Sequence, residues 1–488
     1  MRVVHLYDGH ERVHDGRGSV PNVVWHLARE TAAAGHEVTV LERRWDGLDA
    51  TAEHDGVAFH RLDLATGADE PWTRVPYEQV TSPVGLARLV GDRTNFARRA
   101  LGYLRRTDFD LLHVHLPFAA SVLAAIAPPL REKMVYTAHL GELRLNALDD
   151  GNDGEGGEAD EGGEAGEGGE ADGDGEAGEG GEADGDGEAG EGGEADGDGE
   201  ADGDGEADGD GEAGEGGSER EESGDSADGG LAVPEVVKRL SPDVYLANRA
   251  ARTTVLNPEI RRVFEERGVP ESKLTVLPNG VDLTRFGDPD PEVVAEVEST
   301  YDLTNRPTLL FVGTVMPRKG VVDLVDAVES VVAAGHDPRV VVAGETDLDT
   351  EYTERVRERI RAAGLDETVE LAGFVPSEEL PALYALADLF VTPSLEEGFG
   401  MTVAEAMAAG TPVVGTRVGR IPWLLDDEEC GRVVRPGDPA GLADAVSALL
   451  ADPAERERLG QRARERARDV SWEGVAADLF ETYQEVRQ

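Results

Sequence analysis

Four consecutive copies of a twelve-residue unit, each beginning Gly-Glu-Ala-Asp-Gly-Asp-Gly-Glu-Ala, run from residue 169 to residue 216. They lie within a stretch, 149–230, that carries 35 acidic residues, one basic residue (Arg220) and 31 of the 61 glycines of the 488-residue chain. The repeats contain no large apolar side chain, so they cannot bury enough surface to offset the entropy of ordering, and their like charges repel. The expectation is a disordered, extended insertion at 149–230. Any fold must be assembled from the two flanking parts. Repeated Asp-Gly-Asp could also be read as a calcium loop, but it lacks the full loop pattern and the flanking helices that fix carboxylates around a hard cation.

The tract accounts for −34 of the formal charge of −55, and the other 406 residues carry −21. Their basic residues are almost all arginine: the whole chain has only four lysines, Lys133, Lys238, Lys273 and Lys319. Dense surface carboxylates suit a high-salt cytoplasm, where hydration is scarce and screening relieves self-repulsion; this composition implies a halophilic, haloarchaeal kind of source. Such a surface repels nucleic acid. The single cysteine, Cys430, excludes a disulfide framework or a thiolate metal cluster. The apolar run at the N-terminus is too short for a signal peptide, and no apolar stretch is long enough to span a bilayer, so a cytoplasmic protein is expected.

Outside the tract, short apolar runs alternate with amphipathic segments. Residues 2–7 and 37–41 read as strands around a helix at 20–34, and 111–114, 134–137, 244–247 and 274–277 read as further strands. A second unit repeats the pattern, with strands at 308–312, 339–343, 369–371, 389–391 and 413–414, and helices at 320–334, 352–363, 380–385 and 403–409. This alternation predicts an α/β protein with two Rossmann-like doubly wound sheets facing a cleft, in which ligands lie beyond the carboxyl ends of strands.

Two segments carry the chemistry. Glu396-Glu397-Gly398-Phe399-Gly400-Met401-Thr402-Val403-Ala404-Glu405 places the carboxylates of Glu397 and Glu405 eight positions apart around a Gly-Phe-Gly turn that opens a helix. The glycines let backbone N–H groups approach a ligand, and each carboxylate can accept hydroxyl hydrogen bonds from a polyol. Gly313-Thr314-Val315-Met316-Pro317-Arg318-Lys319-Gly320 follows a strand and enters the next helix. There Arg318 offers a bidentate fork and Lys319 a point charge, a pairing suited to a diphosphate without metal.

These motifs, with Pro278-Asn279-Gly280-Val281-Asp282 and Gly373-Phe374-Val375-Pro376 between them in order, make the chain resemble the GT-B glycosyltransferases of family 4 (glycosyl transferases group 1). The resemblance implies a retaining hexosyltransferase that uses a nucleotide diphosphate sugar without metal or other cofactor. It assigns Glu397 to the donor-sugar hydroxyls, Glu405 to the ribose, Arg318 and Lys319 to the diphosphate and Val375 to the base. Gly398, Phe399, Gly400, Met401 and Thr402 complete that donor site, and His139, after the strand at 134–137, is the cleft histidine. Gly18 and Ser19 stand where similar enzymes have a Gly-Gly loop at the donor phosphates, although Ser19 could instead cap the helix. His113 and His115 are sent to one face by strand alternation, with His115 read as a packing or acceptor residue.

The implied acceptor is a glycan, a polyprenyl lipid or a small molecule. In similar enzymes, basic and apolar residues such as those of 84–106 (Arg88, Arg93, Arg98, Arg99, Arg105, Arg106) touch a membrane, which makes peripheral contact at its inner face an expectation beside a plain solvated helix. The epimerases that share this architecture, and a catalytically silent sugar-nucleotide-binding protein, are the alternatives. The domains are read as 1–148 with 231–300, the insertion 149–230, 301–470, and a crossover helix at 471–488.

Overall fold

The computed structural model describes residues 1–16, 18–65, 83–139, 242–426 and 428–488; the acidic tract lies outside them. The first sheet comprises β1 (Arg2–Leu6), β2 (Glu37–Arg43), β3 (Thr51–His54), β4 (Val57–Leu62), β5 (Leu111–Val114), β6 (Met134–Ala138), β7 (Arg252–Val255) and β8 (Leu274–Val276). Its order is β3-β4-β2-β1-β5-β6-β7-β8, parallel except for the β3–β4 hairpin, which turns at Asp55-Gly56 with positive φ at both residues. The second sheet, built of β9 (Thr308–Val312), β10 (Arg339–Ala343), β11 (Val369–Gly373), β12 (Leu389–Thr392), β13 (Val413–Thr416) and β14 (Gly431–Val434), has order β11-β10-β9-β12-β13-β14 and is wholly parallel.

Both orders reverse direction once, at β1/β5 in the first sheet and at β9/β12 in the second. A reversal of this kind sends the adjacent crossover helices to opposite faces and opens a crevice at the strands' carboxyl ends. The helices that matter for that crevice are α1 (Ser19–Ala33), α2 (Pro83–Leu104), α3 (Pro117–Ile126), α4 (Pro242–Ala247), α5 (Val321–Ala333), α6 (Met401–Ala409) and α7 (Trp472–Arg487).

One strand reading is corrected. Residues 244–247 belong to α4 rather than to a strand; Pro242 and Asp243 occupy its first turn, as helix starts favour. The strand is β7, where β-branched Thr253, Thr254 and Val255 fill fully buried positions. A four-residue apolar run has no resolvable period, so helix and strand cannot be told apart there.

The chain changes core at residue 281. Val281, Phe286, Val297, Tyr301 and Leu303 pack beneath the second sheet, so the stretch 281–300, grouped with the first domain in the sequence reading, packs with the second. The chain later returns. Helix α7, capped by the Ser471 hydroxyl, which accepts from the Gly474 N–H, buries Trp472, Val475, Leu479 and Tyr483 against Val3, Val23, Leu27, Leu111 and Val135 of the first sheet and α1. Burying four such side chains stabilises this return by several kcal/mol, at about 1.5–3 kcal/mol each. Among the described residues, no helix is long and apolar enough to cross a membrane.

Candidate active site

A cavity of about 460 Å³ lies at the carboxyl ends of both sheets, lined from the first by Gly18, Ser19, His139, Leu256 and Asn279 and from the second by 313–314, 318–319 and 396–402. The loop after β9 and the loop after β12 flank the second switch point and therefore face each other. Lys319 Nζ reaches Glu397 Oε2 at 2.5 Å, with both side chains mostly buried. The Arg318 carbonyl accepts the backbone N–H groups of Leu395 (2.8 Å) and Glu396 (3.3 Å), which ties the basic loop to the carboxylate turn. The guanidinium of Arg318, itself half-buried, has no ion-pair partner among the described residues. A cation without a carboxylate in a cavity is suited to an anionic ligand.

The loop geometry depends on two glycines. Gly320 sits at φ +65°, and a Cβ there would fall 2.2 Å from the Pro393 carbonyl oxygen, so only glycine lets the β9 loop lie against the end of β12. Gly400, at φ +89°, is the N-cap of α6 and turns the chain so that the helix's first N–H groups open toward the cavity.

The expected residues divide into two groups. Gly18, Ser19, His139, Arg318, Lys319, Glu397, Gly398, Phe399, Gly400, Met401 and Thr402 all line the cavity. Val375 and Glu405 do not. The Val375 side chain is buried in the second core, so only its backbone could meet a ligand. Glu405, one turn and more into α6, is half-buried and accepts a 2.8 Å hydrogen bond from the Tyr384 hydroxyl. Burial pushes its carboxyl up to about 7, and the Tyr384 hydrogen bond pulls only partly the other way. Phe399, although at the cavity edge, is 3 % exposed and acts mainly as an anchor in the second core.

At the first sheet, α1 begins at Ser19 with Gly18 as its cap residue, so Ser19 is a first-turn residue and not the cap. Gly18 has extended backbone, and its N–H donates to Glu11 Oε2 at 2.8 Å; this chain's own carboxylate thus occupies the amide expected to meet phosphate. The loop before α1 is held from behind by buried ion pairs. Glu42 Oε1 accepts from Arg61 at 2.8 Å and Glu42 Oε2 from the Val13 N–H at 2.9 Å; Arg43 pairs with Asp92, and Arg93 Nε lies 3.7 Å from Asp8. Arg93 and Asp92 are therefore internal braces, whereas Arg88, Arg98, Arg99, Arg105 and Arg106 of the basic stretch are exposed.

Several lining residues were given no site role from sequence, among them Asn279, Leu256 and Glu396. Asn279 follows β8 inside the Pro-Asn-Gly motif, which marked its position without giving it a role. Leu256 follows β7, the strand misassigned by sequence. Glu396 adjoins Glu397, and its Oε2 is buried without a hydrogen-bond partner.

Residues 298–466 match the family model described as glycosyl transferases group 1, and residues 20–151 match that of glycosyltransferase family 4. The chain is 32 % identical over 255 residues to a D-inositol 3-phosphate glycosyltransferase of Corynebacterium efficiens, covering 46 % of this chain and 60 % of that protein. It is 34 % identical over 234 residues to a GDP-mannose-dependent alpha-(1-6)-phosphatidylinositol monomannoside mannosyltransferase of Mycobacterium tuberculosis, with the same two coverages. The chain thus spans about three fifths of the length of these curated relatives.

Among solved structures, a sucrose-phosphate synthase from Thermosynechococcus elongatus superposes with a TM-score of 0.68 at 20 % identity, covering 100 % of this chain and 99 % of that one. An Anabaena protein crystallised with UDP and glucose gives 0.62 at 15 % identity, covering 99 % and 100 %. The fold is GT-B, as in these solved structures, and the two family models match the chain one after the other, glycosyltransferase family 4 before glycosyl transferases group 1.

Proposed function

We propose that the protein transfers a hexosyl unit from a nucleotide diphosphate sugar to a glycan or lipid-linked acceptor, with retention of anomeric configuration and without a divalent metal. The observation that carries this reading is the meeting of Lys319 and Glu397 across the second switch point, beside Arg318 and the N-terminus of α6, in one cavity. Arg318, Lys319 and the helix N–H groups would hold the diphosphate and stabilise the negative charge that grows on it as the glycosidic bond breaks. Glu397 would accept hydroxyl hydrogen bonds from the sugar, positioning the anomeric carbon as it gains oxocarbenium character. The ribose falls to Glu405 and the base to the backbone at Val375. The names of the relatives support a nucleotide-sugar donor: one is GDP-mannose-dependent, and a structural neighbour binds UDP and glucose.

The test is a thermal-shift panel of UDP-, GDP- and ADP-sugars in molar potassium chloride, followed by transfer assays with the donor that stabilises the protein. Lys319→Ala and Glu397→Ala should keep the fold and lose transfer by at least about 100-fold, the scale expected for removing a group aimed at developing charge. Full activity in either variant refutes the assignment. The same reaction reads the finer points: product anomer by NMR for retention, unchanged rate with chelator for metal independence, and a rate optimum at high salt for a halophilic cytoplasm.

Peripheral membrane contact rests on α2, where Val84 and Val90 are 62 % and 56 % exposed beside Arg88. Failure to co-sediment with anionic vesicles at high salt removes that element.

A further inference from the structure

Strands β1, β5 and β6 are neighbours in the first sheet, and each delivers a histidine at or near its carboxyl end: His5, His115 and His139. His5 and His115 are fully buried, whereas His139 lines the cavity. Nδ1 of His5 lies 3.0 Å from Nε2 of His115, and Nδ1 of His115 lies 3.3 Å from Nε2 of His139. The ring planes are nearly parallel, at 13° and 25°, as an edge-to-edge row of N–H···N bonds requires. At the far end, Nε2 of His5 is buried and has no hydrogen-bond partner.

His113 touches this row without joining it. Its Nδ1 bonds the Tyr483 hydroxyl at 2.7 Å and its Nε2 the Thr137 hydroxyl at 2.6 Å. His5, His113 and His115 are close enough to hold a cation, but five of their six ring nitrogens already have hydrogen-bond partners, which speaks for a hydrogen-bonded relay rather than a metal centre.

We propose that His5 and His115 are positioning residues that fix the tautomer of His139, with the hydrogen on Nδ1 and a lone pair on Nε2. Burial holds His5 at about 3 and His115 well below its ordinary value, so each is neutral and carries a single N–H. Each of the two junctions needs one donor and one acceptor, which leaves only two arrangements of the row. In the first, His5 Nδ1–H donates to His115, His115 Nδ1–H donates to His139 Nε2, and the unpartnered His5 Nε2 is a bare lone pair. In the second every bond reverses, and His5 Nε2 becomes an N–H donor buried with nothing to accept it. Orphaned buried N–H groups are rarer than under-used acceptors, so the first arrangement prevails.

Its consequence rests on the glycosyl-transfer reading. His139 then carries its hydrogen on Nδ1, the atom with which it would donate to an oxygen of the sugar or the diphosphate, and its imidazole cannot reverse without reversing the whole row.

The test separates the relay from the reaction. Long-range proton–nitrogen spectra of the full chain labelled with ¹⁵N-histidine, without ligand, should show His139 protonated on Nδ1 and not on Nε2; its signals are assigned by their loss in His139→Gln. The opposite tautomer overturns the proposal. His5→Leu removes the first donor and should release the tautomer and lower turnover by up to about tenfold, while His5→Asn, with an amide N–H near the old Nδ1, should restore both. Unchanged turnover in a folded His5→Leu variant overturns the positioning role. If that variant does not fold, the wild-type spectrum and His5→Asn still decide. If the wild type transfers no sugar, the functional reading fails while the spectrum still decides the tautomer.

Discussion

Glu405 gives the chain a pH dependence opposite to that of an ordinary ion-paired carboxylate. Its carboxyl titrates at about 7 in the folded protein against an ordinary 4.5, because burial penalises the charge more than the Tyr384 hydroxyl at 2.8 Å and the more distant Arg285 favour it. Below 4.5 the group is protonated in both folded and unfolded chains and contributes no difference. Between 4.5 and 7 the unfolded chain releases a proton that the folded chain keeps, so the folded state binds more protons and stability falls as pH rises. Above 7 both states are ionised and the full loss stands. At about 1.4 kcal/mol per unit, the span amounts to about 3 kcal/mol.

The assay is urea unfolding of wild type and Glu405→Gln across this range at constant high salt. Glutamine keeps an acceptor for Tyr384 and never ionises, and subtracting the two profiles removes the many carboxylates common to both. The expected difference is flat below 4.5, changes by about 3 kcal/mol in favour of the variant by pH 7 to 8, and is then flat again. Because the carboxyl is held against the fully buried Tyr384, added salt should alter it little. A difference profile flat to within about 0.5 kcal/mol, or one that favours the wild type with rising pH, refutes the reasoning. On the proposed role a ribose diol donates to the ionised carboxylate, so binding lowers this pKa and releases protons near pH 7, which calorimetry in buffers of different ionisation enthalpy would read.

Two structural predictions are independent of ligand. Gly320→Ala forces a left-handed residue, costing about 1–2 kcal/mol, and drives a Cβ into the Pro393 carbonyl; the loss of stability should exceed about 2 kcal/mol in denaturant unfolding, together with weaker nucleotide-sugar binding. Arg61→Leu leaves Glu42 buried with only the Val13 N–H, at an expected cost of about 3–5 kcal/mol. The double change Glu42→Met with Arg61→Leu should recover much of this, and a single variant less than 1 kcal/mol from wild type would show that the pair is not a brace.

What the sequence made legible was what its local periods encode. Strands β1, β5, β6, β8 and β9 and helices α1, α5 and α6 follow from apolar spacing and from glycines at their ends. Glu397, Lys319 and His139 could be picked out because each follows a run that reads as a buried strand. The failures lie where a period is too short or a direction is at issue. Residues 244–247 are too few to distinguish helix from strand, and mistaking them hid β7 and with it Leu256. Val375 sits in a recognisable motif, but whether its side chain faces the core or the cavity depends on how β11 packs. Glu11 at the Gly18 amide is a contact seven residues away, inside an irregular loop that has no period at all.

The pairings that make the site depend on strand order, which no local pattern carries. Lys319 and Glu397 are 78 residues apart and meet because β9 and β12 are neighbours at a point where the sheet reverses. His5 and His115 are 110 residues apart and meet because β1 and β5 are neighbours at the corresponding reversal of the other sheet. A lone histidine on β1 reads in sequence as one polar residue in a buried strand, and nothing nearby distinguishes it. Only the reversal at β1/β5 sets it beside His115. Since both reversals open toward one cavity, the order of the strands, more than any motif, determines which residues can act on the same ligand.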